Sequence, residues 1–253
     1  MKPNIVEQHN KELEQLYQKA KKDISAEVAE YNEKQQDKPY SATFPLFLKS
    51  YEHYENAEIK VMIFGQETNG WGDYDPDKTI VEIMNGYVEF FISEYCYKHY
   101  GGHFWNGINK IKRLLEEKNA GKSIGYLWNN AVKMGYNRNG FPHNFYGTIV
   151  KPHLNNLIVK EIEILKPDYI IFLTGYRYDG VLADIFGELK KDQVEGFPID
   201  KLCEITIPNV KKSLRTYHPR PLYQNRYLKS SRGKIFNKII EEITQDINLN
   251  YKR

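Results

Sequence analysis

The stretch "EIKVMIFGQETNGWGDYDPD" runs from Glu58 to Asp77. Its opening, Glu58–Gly65, is a continuous apolar run with β-branched content, the pattern of a strand buried on both faces. The run stops at Gly65. Gln66, Glu67, Thr68 and Asn69 follow at once, and Gly70 and Gly72 bracket Trp71. A turn alone does not call for four polar side chains lifted off the end of a buried strand. In an open α/β sheet, that end is where ligands bind.

Working outward, "SIGYLWNNAV" (Ser123–Val132) and "DYIIFLTG" (Asp168–Gly175) read as two further buried strands. "LCEITIP" and "SLRTYHP" are two more strand candidates, which "KLCEITIPNVKKSLRTY" can also join as a simple hairpin. Helical spacing predicts one or two amphipathic helices over about 5–35, with Leu13, Leu16, Ala20, Ile24 and Val28 as the apolar positions. Further helices are expected over Thr79–Tyr97 with Asp77 as cap, Trp105–Lys118, Ile158–Lys166, Asp179–Phe186 and Ser231–Ile247. Lys133–Pro152, rich in Gly, Asn and aromatics, reads as a long functional loop.

Strands alternating with helices predict a three-layer α/β/α sandwich on a mostly parallel central sheet of about four strands, plus N-terminal helices. The expected division is a helical extension over 1–56 packed on an α/β domain over 57–253. Polar groups then gather at the strand ends: Gln66 and Glu67, Asn129 and Asn130, Thr174, and His218.

Composition bounds the function. No run resembles a bilayer span, the charged N-terminus has no apolar signal core, and a cytoplasmic location is expected. Cys96 and Cys203 are the only cysteines, too few for a four-cysteine iron–sulfur site. Cys96, His99 and His103 have spacing that hints at zinc, but Gly101 and Gly102 interrupt the helix that would align them, so no metal is expected. The net charge is +3, yet Ile205–Ile240 holds no Asp or Glu and nine bases: Lys211, Lys212, Arg215, Arg220, Arg226, Lys229, Arg232, Lys234 and Lys238. The remainder carries 27 bases against 33 acids, a net −6. Such segregation suits a polyanionic partner and a merely solvated basic face equally until the residues inside the segment are read.

Three motifs carry a family resemblance. "GQET" at Gly65–Thr68, with Asn69 and Gly70, resembles the first motif of the uracil-DNA glycosylase superfamily, Gly-Gln-Asp-Pro-Tyr-His in its best-known branch. "HPRPL" at His218–Leu222 is similar to the second, His-Pro-Ser-Pro-Leu, and "YLWNNAV" is similar to the strand that ends in a base-reading asparagine. The likeness spans roughly 58–238 in the right order. It implies a monomeric, cofactor-free enzyme that acts on double- or single-stranded DNA and hydrolyses the bond between sugar and uracil or a related damaged, mismatched or modified base. A catalytically inactive binder of nucleic acid or nucleotide is the alternative.

In that chemistry a carboxylate stabilises the sugar cation and positions water, a role for Glu67. A donor holds the departing base anion, a role for His218. An amide reads the base edge with one donor and one acceptor; the resemblance puts Asn130 there, with Asn129 the close competitor. Gln66 lines the same pocket, and Phe104 or Trp105 supplies its flat wall. Arg220, Pro221 and Leu222 resemble the loop that presses on the minor groove, with Arg215, Arg226, Lys229 and Arg232 expected on phosphates. Glu67 stands where that branch has Asp, Asn69 where it has the Tyr that blocks the thymine methyl, Arg220 where it has Ser. The choice of base stays open.

Overall fold

A computed structural model describes residues 4–35, 37–138, 140–224 and 226–250, without the side chains of Lys38, 223–232 and Asn250. The elements, in chain order, are α1 (Ile5–Glu33), α2 (Glu52–Asn56), β1 (Ile59–Asn69), α3 (Ile80–Tyr87), α4 (Gly102–Lys118), β2 (Ile124–Tyr136), α5 (His143–Phe145), α6 (Lys151–Leu165), β3 (Tyr169–Phe172), α7 (Asp179–Phe186), β4 (Lys191–Gln193), β5 (Leu202–Ile205), β6 (Lys212–Thr216), α8 (Pro219–Gln224) and α9 (Arg226–Asn250). Among these residues no helix is long and apolar enough to cross a membrane.

The sheet is open, mixed and six-stranded, in the order β2-β1-β3-β6-β5-β4. The expected parallel strands form its contiguous part, β2-β1-β3-β6. The count of about four is corrected by β5 and β4, which add on as antiparallel strands. β5 and β6 are the hairpin that the sequence offered as an alternative. β4 is three exposed polar residues, held by backbone pairing with β5 and carrying no apolar run to betray it.

β1 does not end at Gly65. It continues through the polar residues to Asn69, because β2 runs alongside from Ile124 to Tyr136 and satisfies the backbone groups. The register shifts between Glu67 and Asn69. Gly135 sits at that irregularity, where an added Cβ would press on the Thr68 backbone. Lys133–Pro152 is therefore not one long loop. Lys133–Tyr136 belongs to β2, and helical turns occupy 143–150 before α6.

The helix expected over Thr79–Tyr97 is also shorter. α3 ends at Tyr87 and gives way to two π-helical turns, Val88–Ile92 and Cys96–Tyr100. Its cap is Thr79, not Asp77: Thr79 Oγ1 accepts from the Glu82 N–H while Glu82 accepts from the Thr79 N–H at 2.8 Å, a reciprocal pair of bonds.

β3 pairs with β1 only over Val61–Phe64, so β1 beyond Gly65 stands clear of it. Alternation along β2 sends neighbouring side chains to opposite faces. Asn129 meets Glu161 on α6, while Trp128 packs on Trp105 of α4. Helices α4 and α6 thus cover opposite faces of β2. α1 lays His9, Leu13, Tyr17, Ala20, Ile24 and Val28 on the α6 side, and this face joins a hydrophobic core continuous with the strands.

Candidate active site

Gly65 and Asn130 are Cα partners across β1 and β2, and Glu67 lies two residues along the same strand. The pleat puts Glu67, the Gly65 gap and the Asn130 side chain on one face of the sheet. His218 follows β6 at the head of α8. These groups line a cavity of about 990 Å³ beyond the carboxyl ends of the strands. Gln66, Phe104, Trp105, Arg220 and Pro221 line it too.

Asn130 is 1% exposed, and its orientation is fixed by a neighbour. The Trp128 indole N–H can only donate, and it donates to Asn130 Oδ1 at 3.1 Å. Nδ2 is therefore the other arm of the amide, and it has no hydrogen-bond partner among the described residues. An unpaired buried donor carries a desolvation cost of about 1–3 kcal/mol, which a ligand with an acceptor in the cavity would relieve. Asn129, the competing residue, is committed elsewhere: it donates to Glu161, and its Oδ1 accepts from Lys133 and from the Asn130 N–H.

Gly65 makes the arrangement possible. A Cβ there would overlap Asn130 Oδ1 and lie 2.8 Å from Phe104 Cζ. Gly65→Ala is expected to displace the amide and the ring, lowering the activity of the site about a hundredfold, the scale of an ångström-sized misplacement. The far-ultraviolet circular dichroism spectrum should stay that of the wild type.

His218 stacks on Phe104, ring centroids 5.3 Å apart and planes 5° from parallel. Its Nδ1 accepts from the Arg220 N–H at 3.2 Å, so in the neutral ring the proton sits on Nε2. Burial pushes the imidazole down to about 4, helped by the positive charge of Arg220 and by His103. At neutral pH it is an uncharged donor.

Glu67 accepts from the Tyr178 hydroxyl and from the Gly140 backbone N–H. Burial raises its carboxyl above the ordinary range, and those two bonds only partly offset the rise. Tyr178, in the short turn after β3, is kept protonated by burial and by the adjacent carboxylate. Sequence reasoning missed it: "GYRYD" carries no signal beyond the glycine that ends a strand. Gln66 donates to the Thr174 carbonyl at 2.7 Å, which ties the end of β1 to the end of β3.

The aromatic wall is larger than expected. Phe104 and Trp105 both belong to it, and they meet at 5.0 Å. Trp71, Phe90, Tyr100 and Trp128 extend it, with Trp105 and Trp128 4.9 Å apart and Trp71 5.4 Å from Trp128. Every tryptophan of the chain lines this one cavity.

Several expected DNA contacts are corrected. Arg215 is fully buried. Its guanidinium pairs with Asp179 at 3.0 and 3.1 Å and donates to the Asp200 carbonyl, because β6 is an interior strand of the sheet. Leu222 is fully buried in the core and is no wedge, since α8 turns it against α4 and α9. Arg220 is exposed and Pro221 half-buried at the cavity wall. The side chains of Arg226, Lys229 and Arg232 lie outside the described residues. The acid-free segment is also less basic in three dimensions. Lys211 pairs with Asp168, Lys212 with Glu204 and Glu242, and Lys238 with Glu242. Among the described residues no cluster of three His, Cys, Asp or Glu side chains could hold a metal ion, and the Cys96 thiol is buried.

No protein-family model matches this chain, and a search of curated proteins found no match.

Proposed function

We propose that this protein is a DNA glycosylase, hydrolysing the bond between deoxyribose and uracil or a related damaged, mismatched or modified base. The observation that carries the reading is one cavity wall holding a half-buried carboxylate, a neutral imidazole donor and an amide N–H without a partner among the described residues, drawn from positions 67, 218 and 130. On this reading the sheet and its helices are the three-layer α/β/α sandwich of the uracil-DNA glycosylase superfamily, with 1–56 as an extension. The enzyme works as a cytoplasmic monomer on DNA, without cofactor.

Bond cleavage leaves positive charge on the sugar and negative charge on the base. Glu67, ionised and poorly solvated, faces the sugar, stabilises the cation and takes a proton from water. His218 donates from Nε2 to a base carbonyl as the anion develops. A neutral donor, with its partner amide N–H on Nδ1, does this without having to lose a charge first. Asn130 Nδ2 donates to a base acceptor once the base has been turned out of the stack into the cavity. Because Oδ1 already serves the Trp128 indole, the amide reads mainly an acceptor, not the donor–acceptor pair foreseen from sequence.

The test is release of free base from oligonucleotides carrying uracil, mismatched or modified pyrimidines. His218→Ala should lower the rate by about 10²–10³, the cost of one donor on a developing anion. Wild-type rates in that variant would remove His218 from the mechanism. DNA binding with no release from any substrate would favour the inactive binder.

The pH profile gives a second test. Glu67 must be ionised and its pKa is raised, so activity falls as pH drops through a value above the ordinary carboxylate range. His218 stays neutral down to about 4 and adds no break near 6.5. Tyr178→Phe removes a hydrogen bond that favours the charged carboxylate, so the acid limb should move to higher pH and kcat should fall several-fold. An unmoved limb would show that Tyr178 only packs.

A further inference from the structure

The cavity is too large for the base alone. About 990 Å³ sits at the upper end of the range that encloses drug-sized ligands, and a bare pyrimidine ring fills a small part of it. The part beyond the reacting groups runs from Asn69 and Tyr100 to the start of α3. There the lining includes Phe44, Trp71 and Phe90, with Lys78 half-buried over the Phe44 ring and Glu82 and Glu89 exposed at the rim. The charge of this chamber says what it accepts. A flanking nucleotide would bring a phosphate, and two carboxylates against one ammonium oppose an anion. An alkyl group would cover the aromatic rings and make no use of the two carboxylates, which face solvent at the rim. A neutral, hydroxylated group suits both features, since its C–H faces lie on aromatic rings and its hydroxyls donate to carboxylates.

Resting on the glycosylase reading, we infer that the substrate base is a pyrimidine carrying a large, neutral, hydroxyl-bearing substituent, about the size of a second ring, seated in the chamber bounded by Asn69, Tyr100 and α3. The ring itself meets Asn130 and His218, and the substituent passes the side chain of Asn69, whose Nδ2 reaches the Tyr100 hydroxyl at 3.4 Å. The chemistry of bond cleavage is unchanged. The substituent adds binding, and so discrimination, remote from the bond that breaks.

Gly86 offers a clean probe. It lies on α3 in the chamber wall, and a Cβ added there meets nothing within 4 Å. Gly86→Leu therefore fills the chamber without disturbing the helix, which gains from losing a glycine. Base release is measured as kcat/KM on oligonucleotides carrying uracil, 5-hydroxymethyluracil, or a pyrimidine with a polyhydroxylated six-membered ring joined through its 5-methylene. The wild type should favour the largest substrate over uracil by about tenfold or more, and Gly86→Leu should cut that ratio by about tenfold or more, the scale of pocket-filling discrimination. Uracil released as well as the largest base overturns the inference and leaves the glycosylase reading standing. Equal slowing of all three by Gly86→Leu assigns the chamber to the DNA strand and overturns it too. No release from any of the three, with wild-type protein, overturns both together.

Discussion

Glu67→Gln is expected to lower the rate of base release by about 10²–10⁴-fold, the range for loss of a positioned acid–base group, and at the same time to raise Tm. Both effects follow from one environment. The carboxylate is held by Tyr178 and Gly140, and glutamine keeps an acceptor for them, so the geometry survives while the charge is lost. The stability effect has a definite sign. The folded-state pKa of Glu67 is raised, so ionising this group opposes folding, and the opposition is complete only above the raised value. Glutamine removes that term. The gain in Tm should be larger at pH 8 than at pH 4, where the wild-type carboxyl is already protonated. Thermal melts at the two pH values, beside single-turnover release assays, check both halves. A variant that loses activity and also loses stability would make Glu67 a structural residue.

Lys133→Met is expected to destabilise the fold by about 3–5 kcal/mol, the cost of removing one partner from a buried ion pair. Lys133 and Glu161 are both fully enclosed, 2.7 Å apart, on the α6 side of the sheet. Glu161 also accepts from the Tyr17 hydroxyl at 2.6 Å and from Asn129 at 2.8 Å, and Tyr17 accepts from the Leu48 N–H. The network joins α1, β2 and α6, so an uncompensated carboxylate there would loosen three elements at once. For a chain of this size the shift in Tm is on the order of 10 °C. Lys133→Met combined with Glu161→Gln removes the stranded charge and should recover part of the loss. Urea unfolding of the single and double variants measures it, and a double variant no better than the single would place the cost in packing. Asn129 Oδ1 binds both Lys133 Nζ and the Asn130 N–H, so the network also sets the backbone from which the cavity amide projects.

Much of this was legible because it is written in local patterns. β3 follows its apolar run, and α7 matches its expected bounds, Asp179–Phe186. Glu67, Asn130 and His218 each come where an apolar run turns polar in the sequence, so their shared cavity could be foreseen even though Asn130 lies buried inside β2. Facing could not be read so well. Arg215 and Leu222 lie near the histidine in sequence, but the pleat of β6 and the turn of α8 point them inward. Asn129 and Asn130 differ by one residue, which on a strand means opposite faces, and only the helices on either side decide which face holds the cavity. The polar half of β1 was hidden because it is held by backbone pairing with β2 and not by side-chain burial. Tyr178 was hidden because its partner lies 111 residues away.

The aromatic wall gives the molecule an optical consequence. With Trp105 and Trp128 4.9 Å apart and Trp71 5.4 Å from Trp128, the three indoles are close enough to couple electronically, and the chain has no others elsewhere to dilute their signal. Near-ultraviolet circular dichroism and intrinsic fluorescence therefore report on this cavity alone among indole environments. Anything that enters it and stacks against them should change both spectra without an added dye, at protein concentrations where turnover can be followed in the same cuvette.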